Sequence, residues 1–571
     1  MQNHKSQAVT HIVLLVSVSG ALFLFRAGTL PLMDPDESRC AQIAAEMERS
    51  GDWLVPHFEG EVYFDKPAPF FWLTVAARKL TGNVELSGRL VASLAGIAAV
   101  LTTYAVGRRV FGATAGLLGG LILATSIEFL FIARWFRMDM PFTAAMWAAV
   151  WWFLRGESLF AADGNWEHRR RGWVGFYFFC AIATLFKGPA GLLLPALIVM
   201  AYLFLSRQAR RITGFFNVPG IGLYLLIAAP WYVAISLREQ GYAYDFFIHH
   251  NLERYTGHSF RHNLPSIIYV PVLLVGLLPW AVYLPAVFSR YFPRRWRNRA
   301  ERPELLMLWL TAIVTVVFFS FSGTKLPGYI LPAFPPLAVL TGALVAEWSA
   351  SGQSDKQMSN GARSLMSAIL IILAVLTGAE IWMGCIDFWI VIPVGVSGLA
   401  VWQMAYSIRR DRRRGFVVWA FSGIIIILLF AFGHTAMTVY ESMSGRALAR
   451  LVTPDMVMEG KFCFLPNRVP SFTLYAGLTK TEKLGKVSSG GIKKLMEQMA
   501  GESRVYCFVS GKKSFEELKK EAVCPMYVLG QNANHWLVTN RPSAGNVLMS
   551  LPLQNGRTGP TGLVGPDQTG R

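Results

Sequence analysis

Apolar runs of about 17 to 25 residues, each long enough to cross a hydrocarbon core, recur from Val9 to Phe432. Hydropathy counts about thirteen such spans, which predicts an all-α polytopic membrane domain over residues 1–436. The first run, HIVLLVSVSGALFLFRAG, lacks a small-x-small cleavage site and reads as a retained helix rather than a secretory signal. A long polar, acid-rich interruption, residues 31–72, follows it directly. In it Asp34-Pro35 reads as an N-cap and first helical position and Gly51 as a stop, so a helix is predicted over residues 35–50. Asp36 and Glu37 fall in its first turn, and Glu37 stands three residues after Asp34 as in a capping box. Two readings of this acidic pair stand side by side, helix capping and catalysis.

Beyond residue 436 the period changes. FCFLP, SFTLYAG, RVYCFVS, PMYVLG and HWLVTNR read as short strands, separated by the helical segments GGIKKLMEQMAG and SFEELKKEA. Residues 437–545 are therefore expected to form a small soluble α/β domain. The Gly/Pro-rich residues 546–571 read as a disordered tail.

Composition agrees with a membrane protein: of 571 residues, 53% are hydrophobic and only 16% charged. A net charge of +19 would suggest nucleic acid in a soluble protein, but the basic residues here cluster in short connections between spans. They are orientation signals, and no nucleic-acid partner is implied. The loops holding Arg108 and Arg109, Arg155 with Arg169 to Arg171, Arg207 with Arg210 and Arg211, and the run around Arg412 sort to the cytoplasm together with the N-terminus. An odd number of spans then leaves the C-terminal domain outside. The six cysteines show no zinc-ligand spacing; the last three, Cys463, Cys507 and Cys524, permit one disulfide of undetermined pairing.

The same sorting brings Asp36, Glu37, Asp65, Lys66, Arg137, Asp139, Lys187, His249, Arg254, Lys325 and Tyr329 to the external membrane edge. One external site is the economical explanation. Each member also has a plainer reading. Asp65 caps a helix beginning at Pro67, Lys66 is a solvated flank, and Arg137 and Asp139 pair with each other. Lys187 is harder to dismiss, because it interrupts the apolar stretch CAIATLFKGPAGLLLP, where an unpaired ammonium is costly. His249, His250, His258 and His262 share a loop with Arg254, and His249 and Arg254, five apart, need not share a helical face. Lys325 and Tyr329, a cation and a phenol in a Gly/Pro-rich loop, suit a phosphate.

Taken in order, PDESRCAQIAAEM, GDWLVPHFEGEVYFDKPAPFFW, ARWFRMDMPFT, LFKGP and FSGTKLPGYILP resemble the bacterial polyprenyl-phosphate-dependent glycosyltransferases of the C-type fold. The resemblance is greatest to the aminoarabinose transferases of lipid A, relatives of the protein O-mannosyltransferases, and covers residues 31–336 well. It implies a C-type fold with external juxtamembrane helices and makes Asp36 the essential acid of the first external helix, with Glu37 beside it and Asp139 as its neighbour. The family's Glu-Lys-Pro motif appears as Asp65-Lys66-Pro67, where Lys66 would contact the lipid phosphate and Arg254 and Tyr329 would add further contacts. Asp65 and His249 match two positions that bind zinc in the aminoarabinose transferases. The shorter aspartate arm and Ala68 in place of a second proline are departures from that pattern, and they bear on the metal and on the sugar.

The reading that follows is a multi-pass enzyme of the bacterial inner membrane, monomeric, with its C-terminal domain in the periplasm. It performs inverting transfer from a polyprenyl-phosphate sugar, aminoarabinose to lipid A phosphate being the leading case and protein O-mannosylation or another envelope glycan the next. Lys66, Arg254, Lys325, Tyr329 and Lys187 would neutralise the departing phosphate. A transporter or lipid flippase is the reading from another class; it expects ionisable groups near the midplane and paired halves, and neither is visible.

Overall fold

The computed structural model describes residues 2–257, 264–292, 303–351, 356–384, 388–485, 490–501, 503–541 and 548–551. His258, His262 and Cys385 lie outside them. Two compact units divide the chain: Met1–Thr29 with Ile43–Ala436, and Leu30–Gln42 with Met437–Arg571.

The first unit is helical. Among the described residues eight helices are long and apolar enough to cross a membrane. Two bent pairs, Ala113–Ala124 with Ile127–Ala133 at 69° and Ser266–Gly276 with Trp280–Tyr291 at 104°, raise this to ten if each pair is one span. Thirteen is not reached on length and composition. The helices Asp139–Asp163 and Trp166–Lys187 are long enough but less apolar, being rich in Trp and, in the second, opening on WEHRRR; Ala190–Leu205 is short.

Asp139–Asp163 and Trp166–Lys187 approach closely where Gly156 faces Gly172: a Cβ on Gly156 would stand 2.7 Å from the Gly172 Cα. Small residues allow such backbone contact between membrane helices. These two helices carry Asp139 and Lys187 at the ends away from the crossing.

The polar interruption is held by its own acids. Residues 57–62 form a two-residue-turn hairpin, β1 His57–Phe58 and β2 Glu61–Val62, with Glu59 and Gly60 at positive φ as such a turn requires. The Glu46 carboxylate accepts from the Glu59 and Gly60 amides at 2.9 and 3.1 Å. Asp52 pairs with Arg238 at 2.7 Å. The following helix begins at Pro69 with no side-chain cap, two residues later than expected, so Asp65 is not its cap.

The second unit is built on a six-stranded sheet of order β4-β3-β5-β7-β6-β8, with β3 Gly460–Leu465, β4 Glu482–Lys483, β5 Arg504–Ser510, β6 Met526–Asn532, β7 His535–Thr539 and β8 Met549–Leu551. β3 pairs parallel with β4 and β5; the other pairings are antiparallel. Along β5, Val505, Cys507 and Val509 enter one core with Leu495, Phe515 and Leu518, while Tyr506 and Phe508 enter the other with Phe464 and Phe472. This two-residue alternation, apolar on both faces, is the mark of a central strand.

Two expectations are corrected here. SFTLYAG is not a strand: Pro470–Tyr475 is a helix with Pro at its start, which turns Phe472 onto Phe464 and Phe508. Residues 546–571 are not a tail throughout, because Met549–Leu551 pairs with β6; residues 552–571 lie outside the described part. Cys463 and Cys507 stand opposite each other in register, both as free thiols.

The segment Leu30–Gln42 belongs to this unit. Asp34 accepts from the Ser38 hydroxyl at 2.5 Å, from the Ser471 amide at 2.9 Å and from the Ser471 hydroxyl, while the Leu32 amide donates to the Tyr475 hydroxyl at 3.0 Å. The helix Asp36–Ser50 starts one residue later than expected, and Asp34 is occupied with Ser38 and Ser471.

Candidate active site

Asp65 and Asp139 are the two anchors of a cationic cluster in the first unit. Asp65 lies in the turn between β2 and the helix Pro69–Thr81. Its Oδ1 meets Lys66 Nζ at 3.0 Å, Arg254 Nη1 at 3.0 Å and His250 Nδ1 at 3.5 Å, and its Oδ2 accepts from the Tyr63 hydroxyl at 3.3 Å. Burial pushes the Asp65 carboxyl up, but Lys66, Arg254 and His250 together outweigh it and hold the group well below the usual carboxylate range. Asp139, the first residue of its helix, is almost wholly buried. It binds Lys187 Nζ at 2.6 Å and Arg137 Nε at 3.2 Å. Lys187 is thus the partnered member of an ion pair, and its ammonium also sits 4.4 Å from the centre of the Tyr329 ring.

Asp65 borders a cavity of about 280 Å³ lined also by Lys66, Lys187, His250, Arg254 and Tyr329, and Asp139 stands behind Lys187 in its wall. The rest of its wall is apolar and aromatic, with Phe246, Phe247, Phe318 and Phe319 prominent. Four cations, Lys66, Arg137, Lys187 and Arg254, face two carboxylates across the cluster, so its charge is net positive. A cationic end joined to an apolar wall fits a phosphate carried on a hydrocarbon chain.

Five of the residues singled out in the sequence, Asp65, Lys66, Lys187, Arg254 and Tyr329, therefore meet in one cavity. Lys325 stands behind it: buried, its ammonium donates to the carbonyl of Ser322, which lines the wall. The histidine beside Asp65 is His250, not His249, whose ring bonds Glu253 at 2.9 Å. His250 and Arg254 are four apart, the spacing that puts two side chains on one helical face. That signal was present in the sequence. Burial lowers the His250 pKa in spite of Asp65, which favours the neutral ring.

The residues do not fit a metal as arranged. Asp65 is committed to cations, His249 is turned to Glu253, and among the described residues no three His, Cys, Asp or Glu groups converge.

Asp36 and Glu37 belong to the second unit. Glu37 is fully buried and accepts from the Met33 amide at 3.0 Å, the backward reach of a capping acid. Asp36 is about one-third exposed and pairs with Arg39 at 3.6 Å.

Comparison with solved structures gives the class first. ArnT from Cupriavidus metallidurans, solved bound to undecaprenyl phosphate, superposes with a TM-score of 0.75 at 24% identity, covering 94% of this chain and 98% of that one. The archaeal oligosaccharyltransferase AglB from Archaeoglobus fulgidus aligns at a TM-score of 0.53 and 11% identity, over 96% of this chain and 75% of its own. The fold is that of a C-type membrane glycosyltransferase. The profile described as dolichyl-phosphate-mannose-protein mannosyltransferase matches residues 65–233. The undecaprenyl phosphate-alpha-4-amino-4-deoxy-L-arabinose arabinosyl transferase of Edwardsiella ictaluri is 30% identical over 435 residues, 74% of this chain and 76% of its own. The chain belongs to this family of polyprenyl-phosphate-dependent glycosyltransferases, of the aminoarabinose transferase type, and is a multi-pass inner-membrane protein.

Proposed function

We propose that the protein transfers 4-amino-4-deoxy-L-arabinose from undecaprenyl phosphate to a phosphate of lipid A, at the periplasmic face of the inner membrane. The observation that carries this reading is the cavity itself, with its cations at one end and its aromatic wall at the other. In this reading the wall takes the first isoprene units and the cations take the phosphate. An acceptor oxygen forms its bond to the anomeric carbon from the face opposite the phosphate. The bond from that carbon to the phosphate oxygen breaks, and its electron pair leaves with undecaprenyl phosphate, so configuration inverts.

Lys66 and Arg254 meet the charge that develops on the departing phosphate, together with Lys187 and the Tyr329 hydroxyl. Asp65 and Asp139 hold those cations in place beforehand, which is what makes the stabilisation preorganised. Lys325 fixes the loop that carries Tyr329 through Ser322. A lipid A phosphate is already anionic and needs no general base, so the role the family resemblance gives Asp36 is acceptor orientation rather than proton abstraction, with Glu37 bracing its helix through the Met33 amide. No step requires a metal. The N-terminus is cytoplasmic, the C-terminal unit periplasmic, and the working form a monomer.

Mass spectrometry of lipid A from cells lacking the protein, overproducing it, or carrying Asp36→Asn tests this directly. An aminoarabinose increment is expected with the wild type alone. Unchanged lipid A in every strain would overturn the acceptor. The match to a protein mannosyltransferase profile then makes envelope glycoproteins the place to look.

A further inference from the structure

The helix Trp166–Lys187 has a second polar cluster at the end away from Lys187. Its 22 residues separate the two ends by about 33 Å, one hydrocarbon thickness. At that far end Arg169 is 6% exposed and binds Glu157 through Nε at 2.6 Å, while Arg211 takes the other Glu157 oxygen at 2.9 Å. The ion pair leaves part of the Arg169 fork unused: Nη2 is buried with no hydrogen-bond partner among the described residues. The same holds for the indole Nε1 of Trp173, a residue 2% exposed.

Both unpartnered donors belong to residues lining one cavity of about 460 Å³, with Trp166, Arg170 and Asn217 around it. A second cavity of about 470 Å³ shares Glu167 and Arg170 with the first and is lined by Val174, Phe178, Phe179 and Leu223. Buried N–H groups in folded proteins nearly always have acceptors. Two on side chains of one cavity wall point to a ligand with several oxygens. A guanidinium fork favours phosphate, and Arg169, Arg170, Arg171 and Arg211 outnumber Glu157 and Glu167, so the oxygens should be anionic. The adjoining apolar cavity accounts for a chain attached to them.

We propose that this pair of cavities binds an anionic phospholipid, with the phosphodiester at Arg169 and Trp173 and an acyl chain along Val174, Phe178 and Leu223. The site lies at the membrane face opposite the catalytic cavity, the cytoplasmic leaflet in the orientation proposed above. It holds together the end of the helix pair whose other end carries Asp139 and Lys187.

The test is native mass spectrometry of the full chain in detergent. The protein is titrated with phosphatidylglycerol, with phosphatidylcholine of the same chains, and with inorganic phosphate. Phosphatidylglycerol is expected to be retained about tenfold more tightly than phosphatidylcholine and not to be displaced by inorganic phosphate. Trp173→Phe, which removes the N–H together with the pyrrole part of the indole, and Arg170→Gln are each expected to weaken retention by about tenfold while undecaprenyl phosphate binding is unchanged. Equal retention of the two lipids overturns the proposal. So does displacement by inorganic phosphate, which marks a free-anion site, and so does wild-type retention in both variants, which leaves only water on those donors. Should Trp173→Phe fail to fold, Arg170→Gln at the exposed rim decides alone.

Discussion

Asp65 does the work of two residues, because a single oxygen aligns Lys66, Arg254 and His250. His250→Ala is expected to lower kcat/KM for transfer by about tenfold to a hundredfold, and His249→Ala by less than about threefold, in a membrane-fraction assay. His250 also makes stability depend on pH. The folded pKa of His250 lies below 6.5, so the stability it contributes is complete above 6.5 and is lost as pH falls toward the folded value. Asp65 has a depressed pKa, so its contribution is present above the ordinary carboxylate range and disappears only in stronger acid. Melting temperatures measured between pH 7 and pH 5 should therefore fall in the wild type and fall less in His250→Gln. That Lys66, Lys187, Arg254 and Tyr329 would meet was legible in the sequence, because sorting the loops by charge puts all four at one membrane edge, and Lys187 interrupts an apolar run where an ammonium needs a partner. Which of two adjacent histidines faces Asp65 was a matter of one residue's rotation in the π-helix Tyr244–Glu253, and the i, i+4 spacing of His250 to Arg254 was the clue.

At the level of elements, apolar length revealed the polytopic architecture but not its spans one by one. Asp139–Asp163 and Trp166–Lys187 carry the site's buried ion pair at one end and polar clusters at the other, so their hydropathy is diluted by function. Pro470–Tyr475 misled for a related reason: a six-residue helix has too few turns to display its period, and β-favouring residues dominate it. The Gly156 and Gly172 contact is an element-scale constraint that periodicity does not register. Gly172→Leu is expected to destabilise the helix pair by about 1 to 3 kcal/mol, read as a lower melting temperature in detergent. Gly164→Ala, at a solvent-facing left-handed cap with nothing within 4 Å, should perturb only its own turn.

On the scale of the whole molecule, the chain does not divide at one point. Leu30–Gln42 is stitched to Met437–Arg571 by Asp34, Ser471, Tyr475 and Met443. Burial raises the Asp34 pKa despite the hydroxyls of Ser38 and Ser471. Its contribution is therefore fully present below the unfolded value of 3.8 and is lost as pH rises through the folded one. Asp34→Asn removes that cost and can still accept from the Ser471 amide. It is expected to raise the melting temperature by a few degrees at pH 7 and by less near pH 4, measured by thermal unfolding of the full chain. Sequence reading assigned residues 30–42 to the membrane domain because they sit among spans; the hydrogen bonds that reassign them join residues more than 400 apart.

This interleaving sets the terms on which such proteins can be recombined. A chimera that exchanges only residues 437–571 with a relative's would import a sheet without the strip of chain that its helix Pro470–Tyr475 is built to hold, and would leave Asp36 on a segment whose seat had been replaced. The heritable module is the pair of segments, and drift in residues 30–42 is answerable to positions 443–475 rather than to its neighbours along the chain.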